Sequence, residues 1–263
     1  MERVAEKVAD GAVLDLIEAF LQAKVMETVK GWTPEEGTPQ GAVLSPLLSN
    51  IYLDPLDQHM AEEGHEMVRY ADDFVVLCRS RAEAEQVLEK LQSWTAQAGL
   101  KLHPSKTRIV NATEPGGFDF LGYHFEQGRK RPRQKSLKKL KDSIRGKTGR
   151  GQGQSLVSII ANLNRTLQGW FEYFKHSQAK VFTALDGWIR MRLRSILRRR
   201  AGRKGRGRGL DHRRWPNAFF AEQGLFSLAQ AHALACQSSL RSITNRRAVC
   251  GKSARTVRRE GDR

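Results

Sequence analysis

The sequence has few cysteines and no long apolar run. Its 263 residues contain three cysteines and no Cys-x-x-Cys pair, which excludes a disulfide scaffold and favours a reducing, cytoplasmic compartment. No apolar stretch approaches the roughly 18 residues that a membrane-spanning helix requires, and the first residues form no apolar signal core. We therefore expect no membrane partner. The 8 prolines and 23 glycines are too few for a collagen-like chain.

Acidic residues are scarce in the second half of the chain. Residues 129–263 hold 34 Lys and Arg against 7 Asp and Glu, whereas residues 1–128 hold 11 against 21. The halves thus carry net charges of +27 and -10. A basic half of this kind favours binding to a polyanion, because lysines and arginines neutralise phosphates and release their counterions. The alternative is a solubilising surface, which would normally mix the two signs.

Helical and strand-like patterns alternate over residues 1–128, which indicates an α+β domain built on an antiparallel sheet. A Ser-Pro pair predicts a helix start at Ser45 and Pro46, and Gly99 sits where a helix-ending glycine is expected. The helical patterns cover residues 4–29, with Gly11 as a candidate break, and residues 81–98. The β-prone segments are 67–70, 74–78, 100–103, 107–110 and 118–125.

The second half predicts a different organisation. Residues 129–154 indicate a basic linker, residues 155–244 an all-α domain, and residues 245–263 a disordered basic tail. Apolar residues recur at helical spacing over 155–174, about 179–200 and about 219–234. The aromatic stripe of the first of these helices is expected in the core, and comprises Trp170, Phe171 and Phe174.

Two adjacent carboxylates, Asp72 and Asp73, fall at the predicted turn between the first two β-prone segments. Like charges this close repel unless a cation lies between them. Mg²⁺ binds one or two carboxylates and keeps positions free for phosphate oxygens. Taken alone, an Asp-Asp pair is far more often an acidic, solvated turn than a metal site, although the flanking strands and Tyr70 reduce that difference.

Four motifs in a fixed order, one of which contains Asp72 and Asp73, carry a resemblance to a known family. These motifs resemble the palm of reverse transcriptases encoded by bacterial group II introns. They are the segments 37–50, 68–74, 99–107 and 120–123. The helix over 162–174 and the segments 215–220 and 224–228 resemble the maturase-specific region that follows the palm. The resemblance implies a partial right-hand polymerase palm followed by an all-α basic thumb, or maturase, domain.

The resemblance also implies an activity and partners. These are RNA-directed DNA synthesis and intron maturation with Mg²⁺ as cofactor, and intron RNA, an RNA template, a DNA primer or target and dNTPs as partners. Asp72 and Asp73 match the metal-binding carboxylates, with the lesser role at Asp73, and Lys106 matches a lysine that neutralises or protonates the leaving pyrophosphate.

Further residues match positions that contact nucleic acid. Those expected near the nucleotide or the primer and template are Gln40, Gly41, Tyr70, Ala71, Leu121 and Gly122. Those expected to bind RNA are Arg190, Arg194, Arg198, Arg199, Arg200, Arg203, Lys204, Arg206 and Arg208.

The sequence departs from the family at two points. Ala42 stands where the family usually has a second glycine, and no segment matches the fingers or the strand that bears a third catalytic carboxylate. The resemblance therefore predicts an incomplete two-metal site. The chain could be a truncated form, the partner of a separately encoded N-terminal half, or the product of a misassigned start. Its function could correspondingly be that of a polymerase and maturase, a non-catalytic splicing cofactor that binds RNA, or an inactive fragment.

Overall fold

A computed structural model describes residues 1–22, 25–27, 30–32, 43–151, 153–205, 207 and 209–237. It divides the chain into two compact units, residues 1–111 and residues 112–263. Both units contain helices and small antiparallel sheets. The predicted α+β class is therefore confirmed.

The first unit consists of short helices and two-stranded hairpins. In chain order its elements are α1 (Glu2–Ala5), α2 (Gly11–Leu21), β1 (Val25–Glu27), β2 (Lys30–Trp32), α3 (Ser45–Glu62), β3 (Glu66–Tyr70), β4 (Asp73–Leu77) and α4 (Arg81–Gln97). Strand β1 pairs with β2 and strand β3 pairs with β4, both antiparallel.

The core of the first unit lies between α3, α4 and the β3–β4 hairpin. Leu56 and Met60 of α3 pack with Val87 and Leu91 of α4, and one face of the hairpin covers them. Burial alternates along β3, as expected for a strand with one covered face. The hairpin is thereby fixed on a helical layer.

The ends of α4 confirm the prediction for this helix. The Ser80 hydroxyl caps the N-terminus by accepting a hydrogen bond from the amide of Glu83. At the other end Gly99 adopts φ +70°, and the amide of Leu100 donates to the Thr95 carbonyl at 2.7 Å. This is the glycine-terminated motif that the sequence predicts.

The first unit differs from the prediction at three places before the β3–β4 hairpin. The helix predicted over 4–29 is interrupted because the Asp10 carboxylate accepts from the amides of Ala12 and Val13, which starts α2 afresh. The chain then enters β1 at Val25, a β-branched residue that favours extended backbone. Helix α3 includes Ser45 as its first residue rather than as its cap.

The β-prone segments 100–103 and 107–110 form no strand, although both lie in the described part of the chain. The intervening Pro104 starts a turn in which the amides of Lys106 and Thr107 both donate to the His103 carbonyl. The two segments are therefore separated by this turn and do not pair as strands.

The second unit begins with a three-stranded meander and continues as a helical bundle. Its elements are β5 (Phe118–Phe120), β6 (Tyr123–Glu126), β7 (Arg129–Pro132), α5 (Gln134–Lys147), α6 (Leu156–Phe174), α7 (Ala179–Arg200), α8 (Asp211–Arg214) and α9 (Asn217–Glu222). A further helix covers residues 228–237.

The core of the second unit is formed by α5, α6 and α7, with Phe220 and Leu228 added from the C-terminal helices. Phe171 and Phe174 are buried, and Trp170 packs against the same core. The predicted aromatic stripe is thus part of the core.

The predicted basic linker over 129–154 contains β7 and α5 instead. Helix α5 buries Leu140 and Ile144, one turn apart, while Lys135, Lys138 and Lys139 are exposed. A narrow apolar stripe within a lysine-rich segment resembles a charged connector in the sequence. The predicted helix over 219–234 is also divided, at Gly224 with φ +79°. The predicted tail over 245–263 lies outside the described residues.

Candidate functional site

The β3–β4 hairpin places the Asp72–Asp73 pair at its tip. Tyr70 pairs with Asp73, so Ala71 and Asp72 form a two-residue loop. Ala71 adopts φ +53°, a left-handed conformation that costs a residue with a Cβ about 1–2 kcal/mol. The tight loop therefore holds both carboxylates at a defined edge of the hairpin at the expense of local strain.

The carboxylates at the tip are exposed, and Tyr70 beside them is 67% exposed. Within the described residues, neither the Asp72 nor the Asp73 carboxylate has a hydrogen-bond or ion-pair partner, and no group of three or more acidic, His or Cys side chains could hold a metal. Two unpaired carboxylates are hard oxygen donors suited to one Mg²⁺. They fit such an ion, but by themselves they do not provide a complete two-metal site.

Arg69 connects this hairpin to α3. Its guanidinium makes a two-point ion pair with Asp57, donates to Asn50 Oδ1 at 3.0 Å, and donates to the carbonyl of Ala71 at 2.9 Å. The hydrogen bonds to Asp57 raise the pKa of Arg69 above its ordinary value. The loop that carries the carboxylates is therefore tied to the helical layer through one side chain.

The sequence analysis did not single out Arg69 or Asp57. The sequence does contain an indication that Arg69 is structurally important. It is a lone arginine in an otherwise apolar β-prone segment, directly before Asp72 and Asp73. A buried cation in such a position requires a partner.

The other predicted site residues of the palm lie elsewhere. Lys106 is exposed in the turn after Pro104, in the same unit as the carboxylates. Leu121 and Gly122 form the two-residue β5–β6 loop of the second unit, with φ of +46° and +78°. Gln40 and Gly41 lie outside the described residues. The structure thus brings together Tyr70, Ala71, Asp72 and Asp73 on a single hairpin.

The β5–β6 loop is held by its own unit. The Leu121 carbonyl accepts from the hydroxyl of Tyr173 at 2.7 Å, and the Gly122 carbonyl accepts from the amide of Arg133 and the hydroxyl of Ser136. A Cβ at Gly122 would come within 3.4 Å of that hydroxyl. Glycine is favoured at position 122 because it adopts the positive φ without strain and because it has no Cβ to crowd the Ser136 hydroxyl.

Arg194, one of the predicted RNA-binding residues, is located in the interior. It is 2% exposed, donates to the Trp215 carbonyl and to Asn217 Oδ1, and lies over the Phe220 ring. Burial lowers its pKa from the ordinary value, and the charge of Arg190 lowers it further. Arg194 is therefore a structural residue, contrary to the prediction that it contacts RNA.

Arg198 also has an internal role. Its guanidinium pairs at 2.7 Å with Asp211, a carboxylate only 1% exposed, and donates to the Lys204 carbonyl. It thereby anchors the chain that follows α7. Helical spacing could have indicated this, because Arg194 and Arg198 are four residues apart on the face that continues the apolar stripe.

The remaining predicted RNA-binding residues divide into two groups. Those that the structure describes as exposed are Arg199, Arg200, Arg203 and Lys204, and Arg190 is half-buried. Arg206 and Arg208 lie outside the described residues. A cationic surface thus remains at the end of α7, although it is smaller than the sequence predicts.

Comparison with known families places both halves of the chain. Residues 4–125 match the family model described as reverse transcriptase (RNA-dependent DNA polymerase), and residues 137–215 match the one described as group II intron, maturase-specific domain. The chain belongs to the group II intron reverse transcriptase/maturase family. The hairpin with Asp72 and Asp73 lies in the first matched region, and α5, α6 and α7 lie in the second.

Individual relatives agree with this assignment. Protein YkfC of Escherichia coli is 27% identical over a region that covers 50% of this chain and 43% of the relative. The group II intron-encoded protein LtrA of Lactococcus lactis is 25% identical, with 53% of this chain and 34% of the relative covered. The chain thus spans less than half the length of these curated relatives. No helix in its described part is long and apolar enough to cross a membrane.

Proposed function

We propose that this member of the family takes part in RNA-directed DNA synthesis, with the β3–β4 hairpin as part of the catalytic centre. The observation that carries the proposal is the pair of exposed, unpartnered carboxylates at the strained tip, braced by Arg69. Asp72 and Asp73 would hold Mg²⁺, with the larger share at Asp72. Mg²⁺ bound there would stabilise the charge that develops during phosphoryl transfer.

The other residues of this site have positioning and proton-transfer roles in the proposal. Tyr70 and Ala71 flank the primer end and the incoming dNTP, and Lys106 neutralises or protonates the leaving pyrophosphate. Gln40 and Gly41 approach the nascent base pair, and Leu121 and Gly122 hold the primer strand. Residues 1–128 then act as part of a palm, and residues 155–244 act as the thumb.

A third carboxylate has to come from outside the hairpin tip, because the tip carries two acidic groups, Asp72 and Asp73. We propose that a further polypeptide segment supplies it, in cis or as a second chain. We therefore expect this 263-residue chain alone to show no Mg²⁺-dependent primer extension on an RNA template. Adding the N-terminal part of a reverse transcriptase of this family should restore synthesis.

Acidic variants of the hairpin test the catalytic role. In the complemented system, Asp72→Ala should abolish extension, while Glu66→Ala should leave it intact because Glu66 is an exposed acid at the opposite end of the same hairpin. Retention of full activity by Asp72→Ala would refute the proposed role. Extension by the isolated chain that is lost in Asp72→Ala would instead show that another carboxylate completes the site.

A second function, that of a non-catalytic splicing cofactor, is favoured by a different observation. The exposed arginines and Lys204 at the end of α7 belong to the half with a net charge of +27, which does not depend on the carboxylates. If this function applies, intron RNA binding and splicing persist in Asp72→Ala and no complement restores synthesis. A chain that neither binds RNA nor supports synthesis would be an inactive fragment.

A further inference from the structure

A cationic cavity lies between α5 and α7, and its arginines are not among those that the sequence singles out. It has a volume of about 380 Å³ and is lined by Arg145, Thr148 and Arg150 on one side and by Trp188 and Arg192 of α7 on the other. Among the residues that the structure describes, no acidic side chain lines it. All of these residues belong to the second unit.

Arg192 is held in this cavity by neutral groups. Its Nε donates to the Thr148 hydroxyl at 2.6 Å and its Nη2 donates to the Thr148 carbonyl at 3.2 Å. The hydroxyl is oriented to accept, because it donates its own proton to the Ile144 carbonyl at 2.6 Å. Among the described residues Arg192 has no carboxylate partner, so its geometry is fixed while its charge stays uncompensated.

Neighbouring cations add to that charge. Burial lowers the pKa of Arg192 from its ordinary value, and the charges of Arg145 and Arg150 lower it further. Arg150 is exposed and has no side-chain partner within the described residues, whereas Arg145 pairs with Asp142. Like charges this close are unfavourable for the free protein, and an anion in their midst relieves the repulsion.

Trp188 organises the same group of cations. The charged ends of Lys141, Arg145 and Arg192 lie 5.9, 5.7 and 5.4 Å from its ring centroid. Contacts of this length attract a cation to the negative face of the ring. The side chains are therefore gathered in advance around the cavity, which reduces the entropy lost when an anion binds.

We propose that the α5–α7 cavity binds a backbone phosphate of structured RNA. The inference rests on the proposed RNA binding of the second unit and assigns it a specific subsite. An arginine cluster that presents N–H donors suits phosphate oxygens, which accept charge-assisted hydrogen bonds. By contrast, Arg194 and Arg198 in the predicted basic stretch already have internal partners.

Filter binding of the full chain to structured RNA over a salt series tests the assignment. Arg150→Gln removes a charge without removing a hydrogen bond of the described structure, so its melting temperature should be unchanged. Its salt slope should fall by about one unit and its affinity by about tenfold at 0.1 M salt. The loss should be equal for RNAs of different sequence, because phosphate contacts carry no base information. Arg192→Gln should show the same or a larger loss, with its fold checked by circular dichroism.

The matched control is Arg213→Gln, an exposed arginine of α8 in the same unit. It should keep the wild-type slope. Wild-type binding with a normal slope in both cavity variants would refute the subsite while leaving the proposed RNA binding intact. Absence of salt-dependent binding by the wild-type chain would refute both.

A free oligophosphate offers the same phosphate oxygens as RNA and is the alternative ligand for this cavity. Inorganic triphosphate added in a thermal melt should stabilise wild type and Arg150→Gln to a similar, small extent. Stabilisation that is specific to wild type, together with unchanged RNA affinity of the variant, would assign the cavity to a free oligophosphate and overturn the RNA assignment.

Discussion

A single arginine determines where the two candidate catalytic carboxylates lie. Arg69 joins the hairpin loop, through the Ala71 carbonyl, to Asp57 and Asn50 of α3. The motif that attracts attention in the sequence, Tyr70 to Asp73, thus depends on a side chain next to it. The sequence predicts the hairpin and its acidic tip but not this brace, because Asp57 is twelve residues away and only the fold brings it close.

We expect Arg69→Ala to destabilise the first unit by about 2–3 kcal/mol, because hydrogen bonds to a charged group contribute about 1.5–3 kcal/mol and the Arg69 guanidinium is largely shielded from water. Urea unfolding measures the change. The matched control is Arg81→Ala, which removes an exposed ion pair with Glu85 on α4 and should have a much smaller effect, because exposed ion pairs contribute little to stability. Equal effects of the two substitutions would contradict the bracing role.

The left-handed conformation of Ala71 predicts opposite effects of two substitutions. Ala71→Gly should leave stability equal or raise it by up to about 1 kcal/mol, because glycine adopts φ +53° without strain. Ala71→Val should lower it, since a β-branched side chain is strongly disfavoured there. Thermal unfolding measured for both variants checks this, and a stabilising valine would show that the loop is not strained.

At the scale of elements, periodicity predicts the long helices and misses the short ones. Helices α6 and α7 follow their apolar stripes closely, because six or more buried residues repeat along each. Helix α5 has two buried residues among its lysines, so its pattern is too weak to separate it from a linker. The predicted helix over 4–29 is broken by the side-chain cap at Asp10, and a polar cap does not change the spacing of apolar residues from which helices are predicted.

The connection after α7 depends on the ion pair between Arg198 and Asp211. We expect Arg198→Ala to cost about 3–5 kcal/mol, because it leaves a carboxylate that is 1% exposed without its cation. Arg199→Ala, one residue on and exposed, should be nearly neutral. Differential scanning calorimetry of the two variants distinguishes them, and equal melting temperatures would contradict the structural role of Arg198.

Asp186 of α7 makes a similar connection to the helix over 228–237. Its carboxylate accepts from the Ser227 hydroxyl and from the amides of Leu228 and Ala229, where the helix begins. Asp186→Ala should cost about 2–4 kcal/mol, because three bonds to a buried charge are lost at a helix N-terminus. Glu172→Ala, which removes an exposed acid of α6, is the control for the thermal melt.

At the scale of the whole molecule, the separation of charge along the chain distinguishes the two units. The residues matched to the reverse transcriptase model carry most of the acidic groups, and those matched to the maturase model are strongly basic. This feature is predicted from composition alone. The distribution of the basic residues is not, because Arg194 and Arg198 are internal while Arg145, Arg150 and Arg192 surround a cavity.

The charge separation leads to a prediction about the complete chain. Affinity for structured RNA should fall about a thousandfold between 50 and 200 mM salt, which corresponds to contacts with about six phosphates. The exposed residues Arg199, Arg200, Arg203 and Lys204, together with the α5–α7 cavity, provide enough cations for that number. Filter binding over a salt series measures the slope.

Because Arg198 supports the fold, the variant that tests the surface is Arg199→Gln with Arg203→Gln, which should lower the slope by about two units without unfolding the chain. A slope near zero in the wild-type chain would mean that its basic half does not bind RNA through phosphates.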